Sequence, residues 1–354
     1  MQNRQAKPVP TAQDILSTGV LNQWYLVCRA SDVGDKPIKL KRLNQDIALW
    51  RDASGKVQAV EDFCPHRGAP LSRGLVIDGK LACVYHGLAV DGTGTVTDVP
   101  PVANCPLVGR KMIQGYPVRE VADAIFLYFS DGLSDEVPEL QLPYQLTSPE
   151  WSGFIYASEW SCNYMLPLDN RLDPMHAVYL HADTFTLQYG VKQSKIEIHD
   201  TADGFYIERD NQKGVNIDRT EVTYRPGSNF WVFTQIPYPK AAGGGFFAIL
   251  SHLTPIDEDH TYMWVMRYQK SEGWRRDLWR FLYKNRLGKR HDYVIEQDRD
   301  IIEAIPASAR GRETMIQCDV GVSRIRRMLM KEATQQAERF AERSGGSIGV
   351  QAAE

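Results

Sequence analysis

The chain has 354 residues, of which 43% are apolar and 24% charged, and a formal net charge of −3. This is the balance of an ordinary globular protein, with no excess of basic charge for a nucleic-acid partner. No apolar run reaches the roughly 18 residues that a membrane-spanning helix needs, so no membrane partner is expected.

The opening MQNRQAKPVPTAQD is polar, carries Pro8 and Pro10, and lacks the apolar core of a signal peptide. Residues 1–20 are therefore expected to form a flexible tail on a cytoplasmic protein. From Gln23 to Phe129, short β-branched and aromatic runs (QWYLVCRA, QDIALWRD, KVQAVED, KLACVYHG, AIFLYF) alternate with turns such as DASGK and VDGTGTVTD. That pattern reads as a small all-β domain over 21–135. The run KPIKLKRL carries Lys36, Lys39, Lys41 and Arg42, a charged strand edge that could also dock an acidic partner. The looser, acidic SDGLSDEVPELQLPY marks a boundary near residue 135.

The second domain, 136–354, starts with a strand, FIYASEWSC, and a helical stretch over about Asn163–His181. Six antiparallel strands are expected next: KIEIHD, GFYIERD, TEVTYR, FWVFTQIPY, FFAILSHL and TYMWVMRYQ. Helical patterns return over Gly273–Ala304, with Trp274, Leu278, Phe281 and Leu282 as the expected core stripe, and over Val322–Arg343 before Ser344-Gly345-Gly346. A sheet with segregated helices makes the architecture α+β.

Six cysteines, at 28, 64, 83, 105, 162 and 318, are too dispersed for a disulfide framework. Two of them belong to a pattern. EDFCPHRGAPLSRG supplies Cys64 and His66 as C-x-H, and LACVYHGL supplies Cys83 and His86 as C-x2-H. Each half is a Cys followed closely by a His on a turn between strands, so two loops can close over a cluster from opposite sides. A structural zinc site of the finger type pairs Cys with Cys and His with His along the chain; here each pair is mixed. In a Rieske centre two Cys hold one iron and two His the other, which places the potential roughly between −150 and +300 mV. The remaining cysteines have no partner at ligand spacing and read as core residues.

LPLDNRLDPMHAVYLHADT carries Asn170, Asp173, His176 and His181 in the order N-x2-D-x2-H-x4-H. Two His and one carboxylate on one face of a metal form the triad of non-haem iron(II) oxygenases, with positions left open for O2. Five residues apart, two side chains on a regular helix point about 140° from each other. Both can face one ion only if the helix widens into a π-type turn or ends, and Pro174 also argues against an unbroken helix, so this segment is expected to be irregular. The carboxylate must come from elsewhere. YVIEQDRDIIEAIP offers Glu296, Asp298, Asp300 and Glu303, and spacing does not choose among them.

In this order, the two constellations resemble the oxygenase components of Rieske non-haem iron oxygenases, over nearly the whole chain after the first 20 residues. VEDFCPHRGAPLSRG and DGKLACVYHGL are similar to the branch holding vanillate and dicamba O-demethylases and toluenesulfonate methyl-monooxygenase. The resemblance implies a Rieske domain followed by a helix-grip-like catalytic domain. It implies a [2Fe-2S] cluster on Cys64, His66, Cys83 and His86, and Fe(II) on His176, His181 and Asp298, the last from the Q-D step on a late helix. Asp173, with Asn170 beside it, would reach His86 of a neighbouring subunit, which implies a ring-shaped homotrimer with electrons crossing between chains. Two departures stand out: C-V-Y-H-G-L where many members have C-P-Y-H-G-W, and Arg171 where an apolar residue is common.

No G-x-G-x-x-G follows a strand, so no nicotinamide or flavin fold is visible. NADH and flavin are expected only in a separate reductase, perhaps with its own ferredoxin domain. The resulting expectation is O2-dependent hydroxylation or oxidative demethylation of a substituted aromatic compound, an aromatic acid in particular. Ring cis-dihydroxylation is the second reading, and an electron carrier without catalysis the third. By rough family position, Ser251, His252, Lys289 and Arg290 are the candidates for substrate contact.

Overall fold

The computed structural model describes residues 9–134, 136–184, 187–210, 215–217, 219–225, 229–237 and 245–344. It begins with helix α1, Ala12–Thr18. Strands β1 (Gln23–Arg29), β2 (Ile38–Arg42), β3 (Gln45–Arg51), β4 (Val57–Glu61), β5 (Leu75–Ile77), β6 (Lys80–Ala82), β7 (Ala89–Val90), β8 (Val96–Asp98), β9 (Val118–Val121) and β10 (Ala124–Phe129) follow. They form three small antiparallel sheets, ordered β1-β10-β9, β2-β3-β4 and β5-β6-β7-β8. The first two enclose a core of Tyr25, Val27, Ile47, Leu49, Ile125 and Leu127. The third, with Trp50 and Val60, packs around the buried Cys64 and Cys83.

Residues 130–143 hold no helix or strand among the described residues. Beyond them lie α2 (Tyr144–Thr147), β11 (Trp151–Trp160), α3 (Met165–Leu172), α4 (Ala177–Leu180), β12 (Ile196–Thr201), β13 (Gly204–Arg209), β14 (Arg219–Arg225), β15 (Asn229–Pro237), β16 (Phe246–Pro255) and β17 (Thr261–Lys270). Helices α5 (Gly273–Leu282), α6 (Gly288–Glu303) and α7 (Val320–Arg343) complete the chain, with a π-helical turn, Tyr283–Leu287, joining α5 to α6. One antiparallel sheet, β11-β17-β16-β15-β14-β13-β12, carries all six of the expected late strands.

Strand side chains alternate between faces, and here the two faces have different partners. Met263, Val265, Leu253, Val232 and Val222 turn towards α3, α6 and α7 and share a core with Leu168, Ile295 and Ile325. Trp264, Met266, Leu250 and Trp231 turn the other way and pack on Trp24, Leu26, Phe126 and Tyr128 of the first domain. The helices and the first domain thus lie on opposite sides of one sheet.

Three expectations need correction. The tail over 1–20 is not flexible throughout: residues 1–8 lie outside the described residues, but Ile15, Leu16 and Val20 are buried in the second domain's core. A reciprocal cap between Thr11 and Asp14 starts α1 (Thr11 N to Asp14 Oδ2, 2.9 Å; Asp14 N to Thr11 Oγ1, 3.1 Å), a signal present in T-A-Q-D. The stripe read on α5 faces outward, with Trp274 70% and Phe281 64% exposed. Trp279 and Tyr283 are the inward residues and pack on Phe154. The basic strand is no free patch: Lys39 and Lys41 pair with Asp46 and Asp257, and Arg42 is buried, donating to Val27 O. The cysteines outside the first constellation are unpaired, with Cys28 and Cys162 buried.

Candidate metal centres and substrate cavity

Cys64 and Cys83 head two loops built alike. Cys64 N donates to Ala69 O and Gly68 N to Cys64 O; Cys83 N donates to Leu88 O and Gly87 N to Cys83 O. Gly68 and Gly87 have φ of 73° and 76°, a left-handed conformation that a side chain would strain, and each lets its loop turn back on its Cys. Asp62 pins the first loop by accepting from Ser72 N at 2.6 Å and Ser72 Oγ at 2.7 Å.

The two thiols neighbour each other. Burial raises the Cys64 pKa above its ordinary value, the His66 and Arg67 backbone N–H groups oppose this, and the adjacent Cys83 thiol adds to it. The two imidazoles also neighbour each other, with ring centroids 4.7 Å apart. Among the described residues, no group of three or more ligands that includes these four converges on a single point, as a mononuclear zinc site would require. Paired thiols beside paired imidazoles fit a two-iron cluster with unlike ends.

The one convergent group among the described residues is His176, His181 and Asp298, whose ligand atoms lie within 4.8 Å of one another. The segment is irregular, as the spacing requires, but through a break rather than a π turn. Helix α3 stops at Leu172, Pro174 follows, and His176 and His181 cap the two ends of the single-turn α4. His181 Nε2 is 3.2 Å and His176 Nε2 3.4 Å from Asp298 Oδ1. Both Nδ1 atoms are engaged elsewhere, with Gln297 Oε1 for His181 (3.0 Å) and with Asp173 O for His176. Such acceptors fix the tautomer that leaves Nε2 free to ligate. Two imidazoles and a carboxylate with both Nε2 atoms facing inward fit a facial iron(II) site.

The four acids left open by spacing are separated here. Glu296 bonds to Tyr156, Glu303 to Ser161 N at 2.7 Å, and Asp300 is exposed, whereas Asp298 is fully buried. Arg171 forms an ion pair with Asp298, and Asn170 donates to Asp298 Oδ1 at 3.1 Å. Burial pushes the Asp298 pKa up, but the Arg171 charge and the two histidines outweigh it and hold the group well below its ordinary value. Asp173, partly exposed, borders both this site and an outer groove lined by Tyr179, Met315 and Asp319.

A cavity opens off the triad, its roughly 610 Å³ of empty volume including space open to solvent, and is walled by Ile236, Phe247, Ile249, Val294, Thr234, Arg267 and His291. The four expected substrate residues do not line it. Ser251 is buried in the sheet beyond the cavity. His252 has the opposite strand parity, accepting from Leu26 N of the first domain at 3.2 Å, and burial depresses its pKa to about 4. Lys289 and Arg290 are exposed on α6. The residues missed were Arg267, His291 and Gln297. For Arg267 the signal was there: MWVMR places a charge at a core-facing position of an apolar strand.

Residues 23–117 match the Rieske [2Fe-2S] domain family, and residues 160–335 match the vanillate O-demethylase oxygenase C-terminal domain family. A 4beta-methylsterol monooxygenase of Methylococcus capsulatus is 30% identical over 74% of this chain and 72% of that protein. The chain belongs to the Rieske non-haem iron oxygenases. Within this family, the vanillate O-demethylase oxygenase subunit of a Pseudomonas species is 38% identical over 46% of this chain. The match spans only 45% of that subunit's length. A crystal structure of dicamba monooxygenase bound to dicamba shares the oxygenase fold, with a TM-score of 0.70 and 23% identity, covering 91% of this chain and 99% of that one. Among the described residues, no helix of this chain is long and apolar enough to cross a membrane.

Proposed function

We propose that the chain is the terminal oxygenase of a multicomponent system that hydroxylates or oxidatively demethylates a substituted aromatic compound. The observation that carries this is the convergent His176–His181–Asp298 group, with His181 and Asp298 buried, at the end of an apolar cavity, in a chain that also has a Rieske domain. For an O-methyl substrate the balance is R–OCH3 + O2 + 2 electrons + 2 protons giving R–OH, formaldehyde and water. The electrons come from a separate NADH-dependent flavin reductase. A mononuclear iron held by the triad supplies O2 activation.

The chain's residues do the rest. Gln297 and the Asp173 carbonyl hold the two imidazoles in ligating orientation. Asn170 and Arg171 keep the Asp298 carboxylate ionised and placed. Ile236, Phe247, Ile249 and Val294 exclude water and hold the ring against the site. Electron supply is read as crossing between chains of a homotrimer, from His86 of one subunit to Asp173 of the next. Two observations support this: the first domain packs on the sheet face opposite the triad, and Asp173 borders an outer groove.

Product analysis under labelled O2, with a surrogate reductase and methoxylated aromatic acids, tests the reading. Formaldehyde with a demethylated product is expected. A cis-diol carrying two labels would replace it by ring dihydroxylation, and reduction without any oxygenated product would replace it by electron carriage.

A further inference from the structure

The cavity wall remote from the triad holds a second polar centre that the reaction above leaves unused. Arg267 enters β17 in register with Ile249 and is 2% exposed. Its Nη1 donates to Asp292 Oδ1 at 2.6 Å and to the Tyr283 hydroxyl at 3.0 Å. Its Nη2 is buried without a hydrogen-bond partner among the described residues, in a side chain that lines the cavity. An unpaired donor on a buried cation is costly and rare in a native structure, and points to a missing acceptor. Asp292 is 44% exposed and holds Arg267 from the solvent side, which orients the guanidinium without occupying Nη2.

His291 completes the centre. Its Nδ1 lies 3.2 Å from the Tyr283 hydroxyl, and its ring stacks on Phe247 at 4.8 Å and 7°. Burial, reinforced by the Arg267 charge, lowers the His291 pKa to about 3, so the ring is a neutral wall beside the cation. The π-helical turn contributes to this arrangement. Residues eight apart are about 80° out of phase on a regular helix, and the extra residue that a π turn absorbs returns Tyr283 and His291 to one face. His291 and Asp298, seven apart on α6, share a face and stand about 10 Å apart along its axis.

We propose that Arg267 is the anchor for an aromatic carboxylate. Nη2 donates to one carboxylate oxygen, the ring lies between Phe247 and Ile249, and the reacting substituent, meta or para to the acid, reaches the triad. An ortho substituent stays at the anchor end, a helix turn or more short of it. This rests on the oxygenase reading and names the residue that holds the substrate's acid group in the same cavity.

The test uses the full chain with its cluster and follows ligand binding by tryptophan fluorescence, Trp279 lying 5.1 Å from Tyr283. Ligands are 2-, 3- and 4-methoxybenzoate and the methyl ester of the 4-isomer. Arg267→Leu is expected to weaken the 3- and 4-isomers about 10- to 100-fold, as loss of a charge-assisted bond implies. The ester should shift less than about threefold, and Arg267→Lys should recover part of the loss. With the reductase supplied, the 3- and 4-isomers should be demethylated and the 2-isomer not.

Cluster absorption and circular dichroism report folding. If Arg267→Leu does not fold, Arg267→Lys and the acid-to-ester ratio in the unaltered protein decide instead, and a ratio below about threefold overturns the anchor. Equal losses for acid and ester, or none for either, also overturn it. Arg267-dependent binding without turnover of any isomer would instead overturn the oxygenase reading and leave the anchor standing.

Discussion

The proposed cluster loops and the proposed iron triad both gather side chains of metal-ligating type, yet they do so from different distances along the chain. Cys64, His66, Cys83 and His86 come from two neighbouring loops that repeat one backbone pattern, each closed by a left-handed glycine. His176 and His181 come from a broken helix, and Asp298 joins them from α6, with six of the sheet's seven strands between them in sequence. The first site is local: its ligands and the backbone hydrogen bonds that close its two loops all lie within residues 64–88. The second exists only when the sheet, α3 and α6 are packed, and it includes a buried charge pair to hold its acid in place. Local and distributed sites should therefore respond differently to damage.

The largest contrast comes from removing one cluster ligand. Cys83→Ala should bleach the cluster and abolish reductase-driven turnover, while ferrous iron still binds at the triad. Visible absorption and metal analysis check this, and concurrent loss of the triad's iron would mean the two sites are not independent.

A smaller effect is expected at Arg171. It is 10% exposed and Asp298 not at all, so Arg171→Leu leaves a buried carboxylate without its cation. The loss of one partner in such a pair costs about 3–5 kcal/mol. Melting of the metal-free variant should fall accordingly, and added Fe(II) should restore much of it, because the ion takes over the cation's role. A variant as stable as the parent without metal would show that the pair does not hold the site.

The third prediction addresses the seam between the regions. His252 is fully buried with a pKa of about 4, below its unfolded value near 6.5. Above pH 6.5 neither state binds the proton and its contribution to stability is complete. As pH falls towards 4 the unfolded chain takes up a proton that the folded chain does not, and up to about 3 kcal/mol is lost. Denaturant melts between pH 7 and 4 should show this acid limb, flattened in His252→Asn. An unchanged slope would exclude His252 as its source.

How far each region was legible follows from the same contrast. The cluster loops could be read from C-x-H and C-x2-H because all their determinants are contiguous. The six strands of the large sheet were readable from alternation, since one face meets helices and the other meets the first domain. The irregularity at His176–His181 followed from helical geometry, though its form, a single helical turn that ends at His181 rather than a widened turn, depends on packing. Asp298 could not be separated from Glu296, Asp300 and Glu303 by spacing, because only the angle at which α6 crosses α3 decides which acid points inward. The substrate residues failed for a related reason. His252 is one residue out of phase with the cavity, and along a strand that moves a side chain to the opposite face. Helix α1 and the outward stripe of α5 show the converse, where an unread cap ordered a presumed tail and amphipathic spacing alone chose the wrong face.

The central claim is that this chain carries two distinct iron sites, one local and one distributed, and iron content per chain tests it most directly. Metal analysis with visible and electron paramagnetic resonance spectra, on the parent and on His176→Ala, should give about three irons for the parent and about two for the variant. The cluster signal should be identical in the two proteins. Zinc in place of iron at the cysteine loops, or a variant with the parent's full iron content, would contradict the account.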